Sequence, residues 1–263
     1  MLSGSYLGFG HGSLERDVTE LEELMDYLSE HRNGTEFAIV GHSTGCQDAI
    51  CFLEKCATPH TRKKVTLVAL QAPVSDREGA ESEDGFAGKL SDAQDLVAHD
   101  KGQEMLPRSH HWAPMTAQRF VDLHAKGGRD DYFSSDYTNA ELGGRLHHVS
   151  SNVQSGTECE TENENENNNE HNDNLNNLKV LVAFSGSDQY VPAHVDKAKL
   201  TERLVDAMNG KFNDNDKSNG NGNRLPVAEA LYIDNGDHNL SGPEDAKIFV
   251  DKVAELLNRA SEE

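Results

Sequence analysis

The stretch FAIVGHSTGCQD, residues 37–48, constrains the fold most strongly, because four apolar residues run directly into a Gly-His-Ser-Thr-Gly turn. In a strand-turn-helix nucleophile elbow, the residues two positions before and after the serine must be small, since strand and helix approach closely there. Gly41 and Gly45 meet that requirement around Ser43. The first N–H groups of the helix, beginning at Thr44, are then expected to face the place where an oxyanion forms. The alternative is a tight turn that carries an inert serine.

Apolar patterns on both sides of this stretch predict strands that alternate with helices. An amphipathic helix at 13–30, with Ser13 as its N-cap, precedes the elbow strand, and a helix at 46–56 follows the turn. The further strands and the closing helix are predicted at 63–70, 178–184 and 227–233 and from Pro243 onward. Continuous apolar strands of this kind are typical of a parallel sheet covered on both faces. We therefore expect residues 1–263 to form one α/β domain with a doubly wound parallel sheet.

Three segments do not fit that sheet. Residues 75–150 connect two strands and are too long for one crossover helix, so we expect them to form a cap over the sheet edge. Their stretch MTAQRFVDLHAKGGRDDYFSSD predicts one amphipathic helix, a glycine turn and an acidic-aromatic loop. Residues 154–177 and 213–223 are rich in asparagine and acidic residues and carry few apolar side chains, which predicts disordered surface loops.

A serine hydroxyl becomes a good nucleophile only when a base takes its proton, and the base needs an acid that orients it. Asp188 and His238 each follow the C-terminal end of a predicted strand, the edge at which such sheets place their sites. The chain order Ser43, Asp188, His238 is that of the α/β-hydrolase triad. Asp76, which follows an earlier strand, is the alternative acid.

Charge and composition narrow the possible partners and the compartment. The formal net charge is -22, from 24 basic and 46 acidic residues, which disfavours nucleic acids and anionic membrane surfaces as partners. No window approaches the roughly 18 apolar residues of a membrane span, and MLSGSYLGFG lacks the basic region and the continuous apolar region expected of a signal peptide. The four cysteines, at 46, 51, 56 and 159, lack the spacing of a metal site or a disulfide framework. We therefore expect a cytoplasmic protein with reduced thiols.

A metal site is a further possibility at two histidine pairs and two neighbouring aspartates. These residues are 110–111, 147–148, Asp130 and Asp131. Their spacing matches no clear ligand pattern. We expect no metal and no cofactor, and we interpret these residues as solvated loop side chains.

Five motifs, in order along the chain, carry a resemblance to a known family. They are GHSTGCQD (41–48), LQAPVSDRE (70–78), DDYFSSD (130–136), SGSDQYVP (185–192) and DHNLSG (237–242). Together they resemble the uncharacterised α/β-hydrolase family, common in fungi and plants, that includes the fungal siderophore esterases. The resemblance covers nearly the whole chain apart from the asparagine-rich segments. It implies a serine hydrolase acting on a small ester, with Ser43 as nucleophile, Asp188 as acid and His238 as base.

The first residues depart from the pattern of that family. Members of this fold have several strands before the segment equivalent to SGSYLGFGHGSL, and a glycine-rich loop after one of them supplies the second oxyanion donor. We therefore expect the N-terminal strands to be missing and the strand FAIV to form an unpaired edge. Loss of one oxyanion donor costs on the order of 10² to 10³ in turnover, which predicts an impaired esterase. A binding or scaffold protein built on a hydrolase fold is the alternative.

Overall fold

A four-stranded parallel sheet in the order β1-β2-β3-β4 is the centre of the fold. The strands are β1 (Phe37–His42), β2 (Val65–Gln71), β3 (Lys179–Ser185) and β4 (Ala228–Ile233). The structure is a computed structural model and describes residues 3–56, 58–151, 178–212 and 226–262. The predicted loops 154–177 and 213–223 lie outside the described residues.

The strands lie within two residues of the positions that the apolar runs predict. Each neighbouring pair is parallel, as expected. His42 is in register with Gln71, and Ser185 is in register with Ile233. The carboxyl ends of all four strands therefore meet at one edge of the sheet, where the candidate site residues leave it.

Helices connect and flank the strands. They are α1 (Leu14–Arg32), α2 (Gly45–Lys55), α3 (Pro59–Lys63), α4 (Asp76–Ala80), α5 (Phe86–Ala98), α6 (Ala117–His124), α7 (Asn139–Leu146), α8 (His148–Ser151), α9 (Lys197–Met208) and α10 (Pro243–Glu262), with a 3₁₀ helix at Tyr6–His11. The predicted N-cap of α1 is confirmed, because the Ser13 hydroxyl accepts a hydrogen bond from the Arg16 N–H at 3.3 Å.

Both faces of the sheet are covered, as the doubly wound prediction requires. Successive residues of a strand point to opposite faces. Val68 and Leu70 of β2 belong to the main apolar core, which includes residues of α1, α2 and α9. Leu67 and Ala69 belong instead to the cluster that contains Leu256 of α10.

Strand β1 forms one edge of this sheet. Among the described residues its only strand partner is β2, in agreement with the expected unpaired edge. The side chain of Val40 in the middle of β1 is exposed, with an exposed fraction of 54%. The face of β1 that carries Val40 is therefore exposed, whereas β2 and β3 are buried on both faces.

The segment between β2 and β3 is more helical than the sequence predicts. The predicted amphipathic helix is α6, but α4, α5, α7 and α8 also lie between these strands. A second apolar cluster holds α5 against α6. Helix α7 begins with a capping box between Thr138 and Glu141. Such a cap is a local signal that does not depend on apolar periodicity, so short helices of this kind escape a search for amphipathic patterns.

The expectation that Asp130 and Asp131 are solvated is wrong, since both are buried. Arg119 Nη1 donates to the two carboxylate oxygens of Asp130 at 2.8 and 2.7 Å. Arg77 Nε donates to Asp131 Oδ2 at 3.3 Å. Buried carboxylates require a partner of this kind, and two arginines from α4 and α6 supply it.

The histidine pairs have separate partners rather than a common centre. His110 Nε2 lies 3.2 Å from Asp92 Oδ2, and His148 Nε2 lies 3.3 Å from the Ile50 carbonyl oxygen. In the described ranges, no three His, Cys, Asp or Glu side chains converge so that they could hold a metal ion. None of the helices in these ranges has the length and apolar character needed to cross a membrane.

Candidate active site

The turn between β1 and α2 has the backbone geometry of a nucleophile elbow. Ser43 has a φ of 54°, a left-handed conformation that is uncommon for residues other than glycine. A Cβ on Gly41 would lie 2.3 Å from the Gly45 carbonyl oxygen, so the close approach requires glycine at position 41. Nothing lies within 4 Å of the place where a Cβ on Gly45 would be, so space alone does not require glycine there.

Helix α2 begins at Gly45, two residues after Ser43, and directs its amino end toward the turn. Thr44 is the N-cap residue, and its N–H donates to no acceptor within the residues that the structure describes. The unpaired N–H groups and the dipole of a helix start favour negative charge nearby. An oxyanion formed beside Ser43 would meet these donors.

His238 and Asp188 are in direct contact. His238 Nδ1 donates to Asp188 Oδ2 at 2.8 Å, and the other carboxylate oxygen of Asp188 accepts from the Tyr190 N–H at 2.9 Å. The side chain of Asp188 is fully buried, and that of His238 is 6% exposed. Because a carboxylate only accepts hydrogen bonds, the proton of a neutral His238 lies on Nδ1, and Nε2 is left as a base.

The imidazole of His238 lies beside the elbow. Its ring centroid is 4.9 Å from that of His42, the residue before Ser43, and 4.6 Å from that of Tyr190. Among the described contacts, there is no hydrogen bond between Ser43 and His238. In hydrolases without substrate, this contact is often long and shortens when substrate binds.

Asp76, the alternative acid, is placed differently. Its Oδ2 accepts from Gln47 Nε2 at 2.9 Å, and no described hydrogen bond joins it to His238. Burial of its carboxyl group, with the charge of Asp130, raises the pKa of Asp76 to about 7, while the charges of Arg119 and His238 act in the opposite direction. Asp188 therefore occupies the position that orients His238, and Asp76 does not.

A family model described as "Protein of unknown function (DUF1749)" matches residues 1–258. The chain belongs to the DUF1749 family. This agrees with the resemblance that the five sequence motifs carry.

The DUF1749 protein is similar to two fungal proteins. It is 31% identical to UPF0613 protein PB24D3.06c of Schizosaccharomyces pombe over 224 residues, which cover 78% of this chain and 62% of that protein. It is 27% identical to Fusarinine C esterase sidJ of Aspergillus fumigatus over 310 residues, which cover 98% of this chain and 78% of that protein. The chain thus spans less than two thirds of the length of the fission-yeast relative.

Two solved structures are similar to the DUF1749 protein. Siderophore hydrolase EstB from Aspergillus fumigatus has a TM-score of 0.66 and 26% identity, and the match covers 100% of this chain and 79% of that chain. An alpha/beta hydrolase fold protein of unknown function has a TM-score of 0.55 and 16% identity, covering 99% of this chain and 76% of that chain. The DUF1749 protein therefore has an α/β-hydrolase fold.

The sequence motifs assign no role to three polar residues, Gln71, Asp48 and His124. Gln71, at the end of β2, contacts both the elbow and the loop of His238. Burial raises the pKa of Asp48 in α2 to about 7, and burial lowers the pKa of His124 in α6 to about 4. Of these residues, only Gln71 could have been found from the sequence, because it is the polar residue that follows the apolar stretch VAL.

Proposed function

We propose that this DUF1749 protein is a serine hydrolase that cleaves carboxylic esters, with Ser43 as nucleophile, His238 as base and Asp188 as acid. One observation carries the proposal. Ser43 has a left-handed backbone in the turn before α2 and directly follows His42, whose ring centroid is 4.9 Å from that of His238, and the Nδ1 of His238 is held by the buried Asp188. Side chains at the ends of three parallel strands supply the three chemical roles of an acyl-transfer enzyme.

The reaction follows from the protonation state of His238. As Ser43 Oγ bonds to the ester carbonyl carbon, Nε2 of His238 takes the hydroxyl proton, and Asp188 stabilises the imidazolium. The Thr44 N–H stabilises the oxyanion. Collapse of the tetrahedral intermediate breaks the carbon–oxygen bond to the alcohol, which receives the proton from His238. Water, activated by the same histidine, then releases the acid and regenerates Ser43.

The substrate we propose is a small ester of the siderophore type. Two observations support it: the names of sidJ and EstB refer to fusarinine C and to siderophores, and both proteins are similar to nearly the whole of this chain. We also propose that residues 75–150 form a cap that shapes the ester pocket. Its support is that the segment begins near the site, with Asp76 within the electrostatic influence of His238.

We propose a cytoplasmic location for the protein. The described cysteines, Cys46, Cys51 and Cys56, are free and buried. Free thiols are typical of a reducing compartment. This support comes from the cysteines alone and does not depend on the catalytic assignment.

The test compares the purified protein with Ser43→Ala on p-nitrophenyl butyrate and on fusarinine C. We expect at least a roughly 10³-fold loss of kcat/KM on both esters, because the nucleophile is removed. Ser82→Ala is the matched control, since Ser82 is exposed on the segment after α4 and its hydroxyl donates to the Gly79 carbonyl oxygen at 3.3 Å. If Ser43→Ala kept the parental rate, the proposal would be wrong.

A binding protein on a hydrolase fold is the second candidate function. The observation in its favour is that no hydrogen bond between Ser43 and His238 is among the described contacts. The two candidates differ in a simple way. A binder retains affinity for the ester and does not release its alcohol, whereas an esterase turns the ester over.

A further inference from the structure

Gln71 is a buried amide at the carboxyl edge of the sheet. It ends β2 and is in register with His42 of β1 and with Ala183 of β3. Its exposed fraction is 6%. An amide in such a place costs free energy unless both its oxygen and its nitrogen have partners.

The side chain of Gln71 joins two loops that carry candidate catalytic residues. Its Nε2 donates to the main-chain carbonyl oxygen of His238 at 3.1 Å. Its Oε1 is in hydrogen-bond contact with His42 Nδ1. The two partners fix the orientation of the amide, because the His238 carbonyl oxygen can only accept. It follows that Oε1 faces His42, and that His42 carries a proton on Nδ1.

The main chain of Gln71 holds the elbow as well. Its carbonyl oxygen accepts from the Ser43 N–H at 3.1 Å and from the Cys46 thiol at 3.3 Å. Ser43 has the left-handed backbone that needs support from its surroundings. One residue therefore bonds to the main chain of the nucleophile, to the side chain before it, and to the main chain of the base.

We infer that Gln71 is a positioning residue, which sets the distance between Ser43 and His238 by linking the elbow to the loop of the base. The inference rests on the proposed function. Gln71 does not touch the reacting atoms, so it acts on turnover through geometry. A displacement of about 1 Å between catalytic groups can cost on the order of 10²-fold in rate.

Replacement of the amide separates this role from a purely structural one. Gln71→Met has a similar length and keeps the main-chain bonds but loses both side-chain bonds. We expect kcat for p-nitrophenyl butyrate to fall about 10- to 100-fold while KM changes less than about 3-fold, because the lost contacts align catalytic groups rather than bind the ester. Gln118→Met is the matched control, because Gln118 is a half-buried glutamine whose amide donates to Asp122 in α6. We expect the kcat of this variant to stay within about 2-fold of that of the parent.

A second variant removes the other partner of the contact between Gln71 and His42. His42→Phe removes the imidazole that contacts Gln71 Oε1 and keeps an aromatic ring beside His238. We expect His42→Phe to lower kcat. In the double variant with Gln71→Met, the fold loss of kcat should be smaller than the product of the two single losses, because both substitutions remove the same link. Strictly multiplicative losses would show that the two residues act separately and would overturn the inference.

Histidine ¹⁵N NMR provides a readout that does not require activity. The parent should show His42 as the Nδ1–H tautomer, and Gln71→Met should lose that signature while the His238 signal stays that of an Nδ1–H histidine bonded to Asp188. If Gln71→Met does not fold, the kinetics of His42→Phe and the spectrum of the parent still test whether Gln71 links the elbow to the loop of His238. An Nε2–H tautomer at His42 in the parent overturns the inference.

The failures of the two proposals are distinguishable. Parental activity in Ser43→Ala rejects the serine mechanism, and the spectrum of His42 then still tests the Gln71 link. If Ser43→Ala is inactive but Gln71→Met keeps the parental kcat, the serine mechanism stands and the positioning role is rejected.

Discussion

Asp188 and Asp76 follow neighbouring strands at the same edge of the sheet, yet their surroundings differ. Asp188 receives two hydrogen bonds, from the Tyr190 N–H and from His238 Nδ1, one on each carboxylate oxygen. Asp76 receives one side-chain hydrogen bond, from Gln47, and lies within the influence of a second acid, Asp130. Burial raises the pKa of Asp76 to about 7.

Position at the end of a strand therefore does not by itself decide which aspartate contacts His238. An aspartate that orients a histidine needs a hydrogen bond from the imidazole N–H. Asp188 has that bond, and no described hydrogen bond joins Asp76 to His238. Asp76 is protonated in a substantial fraction of molecules near neutral pH, so it is poorly suited to hold an imidazolium.

The largest expected difference between the two aspartates is in catalysis. We expect Asp188→Asn to lower kcat for ester hydrolysis by roughly 10³- to 10⁴-fold, because an amide can favour the wrong tautomer of His238. Asp76→Asn should cost less than about 10-fold, since it removes no contact to His238. Steady-state kinetics of both variants on p-nitrophenyl butyrate measure the contrast. An equal loss in the two variants, or a larger loss in Asp76→Asn, would reverse the assignment of the acid.

A smaller difference is expected in the pH dependence of stability. The pKa of Asp76 is raised from 3.8 to about 7 by folding, so the folded state binds its proton more tightly than the unfolded state. The stabilising contribution of this group is therefore complete below pH 4 and is lost as the pH rises to about 7. Asp76→Asn should remove this dependence, and the difference in unfolding free energy between parent and variant should change by about 2–4 kcal/mol over that range.

Urea unfolding of the parent and of Asp76→Asn at several pH values between 4 and 8 measures this change. The difference between the two proteins is the informative quantity, because Asp48, whose pKa is also raised to about 7 by burial, titrates in both. A constant difference across the range would show that the Asp76 carboxyl has the same pKa in the folded and unfolded protein.

The sequence is sufficient to predict those features that depend on local pattern. Continuous apolar runs locate β2 and β3, and the Gly41–Ser43 spacing predicts a turn whose close approach the structure confirms. Asp188 and His238 could be predicted to meet, because strand ends in a parallel sheet converge at one edge. Their contact is formed at 2.8 Å.

The features that the sequence does not predict depend on pairs of polar residues far apart in the chain. Asp131 is buried because Arg77, 54 positions earlier, reaches it. Gln71 bonds to the carbonyl of His238 across 167 positions. Gln71 is visible in the sequence as the polar residue that ends an apolar stretch, but neither pairing leaves a periodic or compositional mark. The raised pKa of Asp76 has the same origin, because burial and neighbouring charge are set by packing.

The central claim is that Ser43 is an activated nucleophile with His238 as its base. Incubation of the protein with a fluorophosphonate, followed by peptide mass spectrometry, tests it most directly. The account predicts one adduct, on Ser43, that forms at least about 100-fold more slowly in His238→Ala, because a serine without its base is a weak nucleophile. A folded protein that remains unlabelled at Ser43, or that is labelled there equally fast without His238, would contradict the account.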